Sequence, residues 1–267
     1  MKNHLGIISA IIGVSFCLFQ NCTPNKNIID VSIEIDGSKK FQKVDGFGVN
    51  ANTASWGSTD LIPAMDILID TLNATIWRVV IETENDWEVA NDNNDPLKFN
   101  WNFYNKLYET PKFQKAWRLI EYLNKKKISN KLIISVMGGI PKWMGHNIIN
   151  PKLEDEFVEM HVSFLFYAIN TKHLNIGLYS PINETDLTNA QIEGPHSDPQ
   201  QFVRILHKIV DRLNALGLSK IKLVSPDVAN MQVGLNQYLP ELIKDTVAMS
   251  KVQYFGFSQL WRILCPG

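Results

Sequence analysis

Six short apolar runs recur along the chain, at positions 44–49, 74–81, 131–137, 174–180, 221–225 and 252–257. Each is brief and ends in polar or turn residues, which predicts buried strands. Between them, segments 61–72, 113–126, 156–170, 199–216 and 237–248 return apolar residues every three or four positions, which predicts amphipathic helices. The fourth helix has Ser197 or Asp198 as its N-cap, Pro199 in its first turn and Gly217 as its stop. Strand–helix alternation implies an α/β fold built on a parallel sheet with both faces covered. A doubly wound sheet and a (β/α)8 barrel both meet that description. Gly46-Phe47-Gly48 lacks the third glycine of a dinucleotide loop and is not followed at once by a helix, which weighs for the barrel. The expected fold class is therefore an incomplete TIM barrel of about six βα units. Residues 31–35, with apolar side chains at alternate positions, are expected to form a separate short strand ahead of it.

The polar residues gather after the strands. Asn50, Asn52 and Trp56 follow the first, and Glu82, Glu84, Asp86 and Trp87 the second. Trp143 and His146 follow the third, Asn183 and Glu184 the fourth, and Asp227 and Asn230 the fifth. In a barrel these positions converge on the C-terminal mouth, where such folds keep their chemistry. Acids beside tryptophans suit a sugar, whose C–H faces stack on indole while its hydroxyls bond to carboxylates and amides. A packing role stands as the alternative for Trp56, Trp87 and Trp143, and a structural ion pair for Arg78. Asp227, after Pro226, reads as a turn or helix cap. His146, His173, His196 and His207 read as surface or packing residues.

Composition narrows the partners. With 267 residues, 45% hydrophobic content and a net charge of -1, the chain can bury a large core. Its 26 basic and 27 acidic residues suggest no nucleic-acid partner, and Lys125-Lys126-Lys127 reads as the solvated end of a helix. The absence of CxxC and HxxxH spacings argues against zinc; no cofactor and no metal are expected. Lys2, the apolar stretch 5–19 and Gln20-Asn21 resemble an export signal over residues 1–22, too short for a comfortable membrane span. Cys22, ahead of a polar tether, resembles a bacterial lipid-acceptor cysteine. The expected location is outside the cytoplasm of a bacterium: periplasmic, secreted, or anchored at the outer membrane through Cys22. Cys17 and Cys22 lie in the leader, so Cys265 has no partner for a disulfide framework.

Several motifs carry a family resemblance. Val44-Asp-Gly-Phe-Gly48, Trp77-Arg78, Gly139-Ile-Pro-Lys-Trp143 and Asn183-Glu184 together resemble retaining glycoside hydrolases of the (β/α)8 clan, most closely the glucosylceramidase- and xylanase-like family thirty. The resemblance spans residues 44–257. It implies that Glu184 is the acid/base, that Asn183 bonds the sugar 2-hydroxyl and the nucleophile, and that Arg78 orients that nucleophile. It also implies that Asp86 and Trp87 grip outer hydroxyls and that Trp143 forms the wall beside the ring, with the first-strand loop, Asn52 and Trp56, at the same mouth. The strand at 31–35 resembles one that these enzymes contribute to a side β-domain. The family's nucleophile ends a seventh strand, and residues 258–267 depart from the pattern, so the chain is expected to lack that group and to be inactive. A sugar-binding lipoprotein without hydrolysis is the competing expectation.

Overall fold

The computed structural model describes residues 36–41, 43–82, 87–188 and 193–258. The export signal, Cys17, Cys22, Cys265, the strand at 31–35, and Glu84 and Asp86 lie outside the described residues. The chain divides into two compact units, Met1–Lys43 and Val44–Gly267. In the first, Asp36 accepts from the backbone and hydroxyl of Ser38 and pairs with Lys39.

The second unit carries a six-stranded, wholly parallel sheet. Its strands are β1 (Gly48–Asn52), β2 (Ile76–Glu82), β3 (Leu132–Met137), β4 (Leu178–Ser180), β5 (Lys222–Val228) and β6 (Val252–Phe257). Their spatial order is their sequence order. A doubly wound sheet reverses direction at a switch point; this one does not, and it runs as a barrel wall does. Among the described residues the wall is open, with β1 and β6 as its edges. Tyr254, Phe255 and Phe257 of β6 are exposed.

Helices cover one face. The main ones are α1 (Ile62–Asp66), α2 (Trp101–Tyr108), α3 (Pro111–Lys125), α4 (Glu154–Phe166) and α5 (Pro199–Ala215). Asp198 caps α5, accepting from Gln201 N at 2.8 Å, with Pro199 behind it as the sequence predicts. Three differences from the sequence reading have local causes. Helix α2 was not expected; Asn100 caps it, accepting from Phe103 N, and its aromatic residues obscure the apolar spacing. The expected helix at 237–248 begins earlier, at Met231 where Asn230 caps it, runs to Leu242 and stops before the short turn Thr246–Met249, which Asp245 caps. Strand β5 runs three residues past its expected end, through Pro226 to Val228.

Strand register sorts the side chains. In the aligned pairs, Trp77, Val79 and Ile81 share a face with Leu132, Ile134 and Val136, and with Tyr179 and Leu223. All are buried in one continuous core with the helices. The opposite face aligns Asn50 with Arg78, Asn52 with Val80, Val80 with Ser135, and Ser135 with Ser180. That inward face is polar, and it positions the site.

Candidate active site on the inner face of the sheet

Arg78 is the centre of the inner face. Its Nη2 lies 2.8 Å from Ser135 Oγ and 3.2 Å from Asp227 Oδ2, and it donates to Asn183 Oδ1 as well. Ser180 Oγ donates to the same Asp227 oxygen at 3.0 Å. Three strands and the loop after β4 thus meet at one guanidinium, and β4 joins them through Ser180 and Asp227. Burial pushes the Asp227 carboxyl up, while Arg78 and Ser180 pull the other way. Asp227 is therefore a buried ion-pair partner and not the turn cap expected from its position after Pro226; the cap is Asn230, which accepts from Gln232 and Val233. Asp227 stands two residues past the expected end of the strand, and Pro226 disguises its place in β5.

Asn183 is held from every side. Its backbone N–H donates to Val136 O at 3.1 Å, and its amide donates to the backbone and carboxylate oxygens of Glu193, at 3.1 and 3.0 Å. Glu193 O also accepts from Gly138 N, so the loops after β3 and β4 are stitched together here. Gly194 lies against this stitch; a Cβ there would fall 2.0 Å from Asn183 O, so no larger residue fits without movement. Glu193 was missed in the sequence because it lies in a loop with no strand to point to it.

Glu184 follows with φ +46°, a left-handed conformation that is uncommon outside glycine, Asn and Asp. Such strained residues concentrate where the surroundings fix them for a purpose. Its carboxyl is half-buried. Burial raises its pKa above the ordinary value; a hydrogen bond from Ser258 opposes that, and the charges of Glu193, Asp227 and Asp186 add to it. A carboxyl so placed retains its proton more readily than a free glutamate, and can give it to an acceptor arriving from the open side. Asp186 itself is fixed, accepting from the backbones of Ala229 and Asn230 at 2.8 and 3.0 Å.

The other expected site residues are spread more widely. Asn52 lies on the inner face, its amide donating to Glu82 Oε1 at 2.6 Å while its oxygen accepts from Ala54 N. Trp143 is partly buried in the turn Lys142–Met144, its indole N–H donating to Glu88 O at 2.8 Å. Trp87 is not a surface for sugar. It is 1% exposed and packs against Phe113, Phe164 and His161, inside the helical layer. Trp56 is likewise buried, with its ring 5.6 Å from Tyr122 on α3. Both follow strands yet fold back under the helices, where an indole buries more area than at a rim. Asp86 lies outside the described residues.

The fold is an open β/α barrel wall whose inner face is polar. Solved structures bear this out for the fold. The chain is similar to a glycoside hydrolase family 30 subfamily 8 xylanase from Clostridium acetobutylicum, at 16% identity and a TM-score of 0.58, covering 83% of this chain and 51% of that one. It is similar also to an endo-β1,6-glucanase, at 15% identity and a TM-score of 0.60, covering 83% and 54%. A conserved exported protein from Bacteroides fragilis matches at 16% identity and a TM-score of 0.52, covering 80% and 48%. The chain thus spans about half the length of the structures it matches. No family model and no curated protein matches the sequence.

Proposed function

We propose that the inner face is the acid/base half of a retaining glycosidase site acting on a β-linked glycan, in an exported protein. The observation that carries this reading is the half-buried Glu184 carboxyl, raised by burial and three acidic neighbours, next to an Asn183 amide locked by Arg78 and Glu193. Glu184 protonates the departing oxygen. Asn183 faces the sugar 2-hydroxyl, and Trp143 lies along the ring. Retaining chemistry needs a second carboxylate about 5–5.5 Å from the acid. Among the described residues the carboxylates on the same face are Asp227, committed to Arg78 and Ser180, and Glu82, which accepts from the Asn52 amide. The 267-residue chain is therefore expected to bind β-linked oligosaccharides without turning them over, the same outcome as the competing reading of a sugar-binding protein. Export through residues 1–22, with acylation at Cys22, is part of the proposal.

The test is calorimetric titration of the 267-residue chain with xylo-oligosaccharides and β1,6-gluco-oligosaccharides, beside a hydrolysis assay on aryl β-glycosides. Binding that Trp143→Ala abolishes and Glu184→Gln preserves supports the reading. No binding of any β-linked oligosaccharide overturns it. Turnover that Asp227→Asn abolishes would retain the glycosidase and reassign the nucleophile to Asp227.

A further inference from the structure

A second cluster of acids lies outside the inner face, between the loop that follows β2 and helix α4. Asp92, Glu156 and Glu159 bring carboxylate oxygens within 4.8 Å of one another. Glu156 and Glu159 stand three residues apart on α4 and so share a side of the helix. Glu159 is 1% exposed, and neither of its oxygens has a hydrogen-bond partner. Oδ1 of Asp92 and Oε2 of Glu156 are buried and unpartnered as well.

The remaining oxygens of those two residues are tied down. Asp92 Oδ2 accepts from Asn93 Nδ2 at 3.0 Å and from Asn100 N at 3.2 Å, and Glu156 Oε1 accepts from Asn91 Nδ2 at 3.3 Å. Asparagines thus hold one oxygen of each carboxylate, leaving the other free for the shared space. This is how outer groups orient the ligands of an ion. Unpaired buried carboxylates are costly, so the arrangement calls for positive charge.

The chain supplies little of it. Arg212 on α5 is the cation whose field reaches Glu159, but its Nη2 donates to Leu97 O at 2.6 Å and its guanidinium lies over the Phe99 ring. The neighbouring Glu88 bonds to the Tyr104 hydroxyl and is pushed by burial up to about 8, so near neutral pH it is mostly uncharged. Burial and the neighbouring acids push Glu159 up to about 9 and raise Glu156 too, so without a cation the cluster holds protons that an ion would displace. All the donors are hard oxygens from a loop and a helix in irregular array, which suits calcium better than zinc or octahedral magnesium.

We propose that Asp92, Glu156 and Glu159 bind a divalent cation, with Ca2+ the first choice, which pins the 87–100 loop to α4. The expectation of no metal was drawn from cysteine and histidine spacings, and an oxygen site split between a loop and a helix leaves no such spacing. The proposal is independent of the glycosidase reading. It does touch the same region, since Trp143 donates to Glu88 O on that loop.

The full chain, stripped with EDTA and dialysed, is to be titrated with Ca2+ by calorimetry and melted with and without it. The expected result is one Ca2+ per chain and a melting temperature raised by several degrees at saturation, about the shift that ligand binding to the folded state gives. Glu159→Gln and Asp92→Asn should each abolish both effects while remaining folded, since each variant relieves repulsion in the metal-free protein. The competing occupant is protons shared among the carboxyls. In that case Ca2+ up to about 10 mM, beyond the range of weak extracellular sites, shifts nothing in the wild type, and the proposal falls. Undiminished Ca2+ binding in both variants would place the ion elsewhere and overturn it equally.

Discussion

Two groups of buried acids stand in the same fold under opposite conditions. On the inner face, Asp227 meets Arg78 and Ser180, and Asn183 is bonded through both ends of its amide. In the cluster of Asp92, Glu156 and Glu159, four carboxylate oxygens have no partner. The first arrangement is closed from within the chain and so is rigid and pre-set, as a site that must hold a sugar in one pose requires. The second is closed only when something arrives. Buried charge is thus not one signal but two, and the pattern of partners tells them apart.

The largest effect expected on this contrast is at Arg78. Arg78→Ala strands the Asp227 carboxylate and unlocks Asn183, and should cost about 3–5 kcal/mol in denaturant unfolding at neutral pH, the range for breaking a buried pair. A loss below about 1 kcal/mol would mean that the row is solvated and not closed. Next is a difference in sign. Asp227→Asn should destabilise by about 1–3 kcal/mol, because it leaves Arg78 without its counter-charge. In the metal-free protein, Glu159→Gln should leave stability unchanged or raise it, because it removes a buried carboxyl that had no partner. Equal losses at both positions would erase the distinction. Gly194→Ala comes next at about 1–3 kcal/mol, since the added methyl meets Asn183 O and the loop must shift. If it proves neutral, the stitch between Asn183 and Glu193 is looser than its hydrogen bonds indicate.

How much of this was legible beforehand depends on where each residue's partners lie. The strands β1 to β6 were found from apolar runs, because parallel strands are buried on a period that sequence displays directly. Asn183 and Glu184 stand out as polar residues at a strand end and Arg78 through the family resemblance, and the register of β2, β3 and β4 brings Arg78 to Asn183. Trp87 and Trp56 failed as site residues for the complementary reason: a position after a strand does not say whether a loop turns outward or back under the helices. Asp227 was read through Pro226 as a turn, but β5 continues through that proline. Asp92, Glu156 and Glu159 left no signal. They are 64 and 67 positions apart across two elements, and only the packing of the loop on α4 brings them together.

The smallest effect is a pH dependence, and it asks whether Glu184 belongs to the closed group or stands partly outside it. Its folded pKa is raised above the ordinary value of 4.5, with burial the leading cause. The folded protein therefore binds its proton more tightly than the unfolded chain does. The resulting stabilisation is complete below the ordinary carboxylate pKa and is lost as pH rises through the raised value. Glu184→Gln cannot titrate, so its melting temperature should gain on the wild type between about pH 4 and pH 7, by about 1–2 °C because solvent on the open side screens the carboxyl. Ser258→Ala should enlarge the wild-type loss, because the Ser258 hydrogen bond favours the ionised form and holds the shift down. If the wild type and Glu184→Gln run parallel across that range, Glu184 has an ordinary carboxyl, and its claim to be the proton donor rests on position alone.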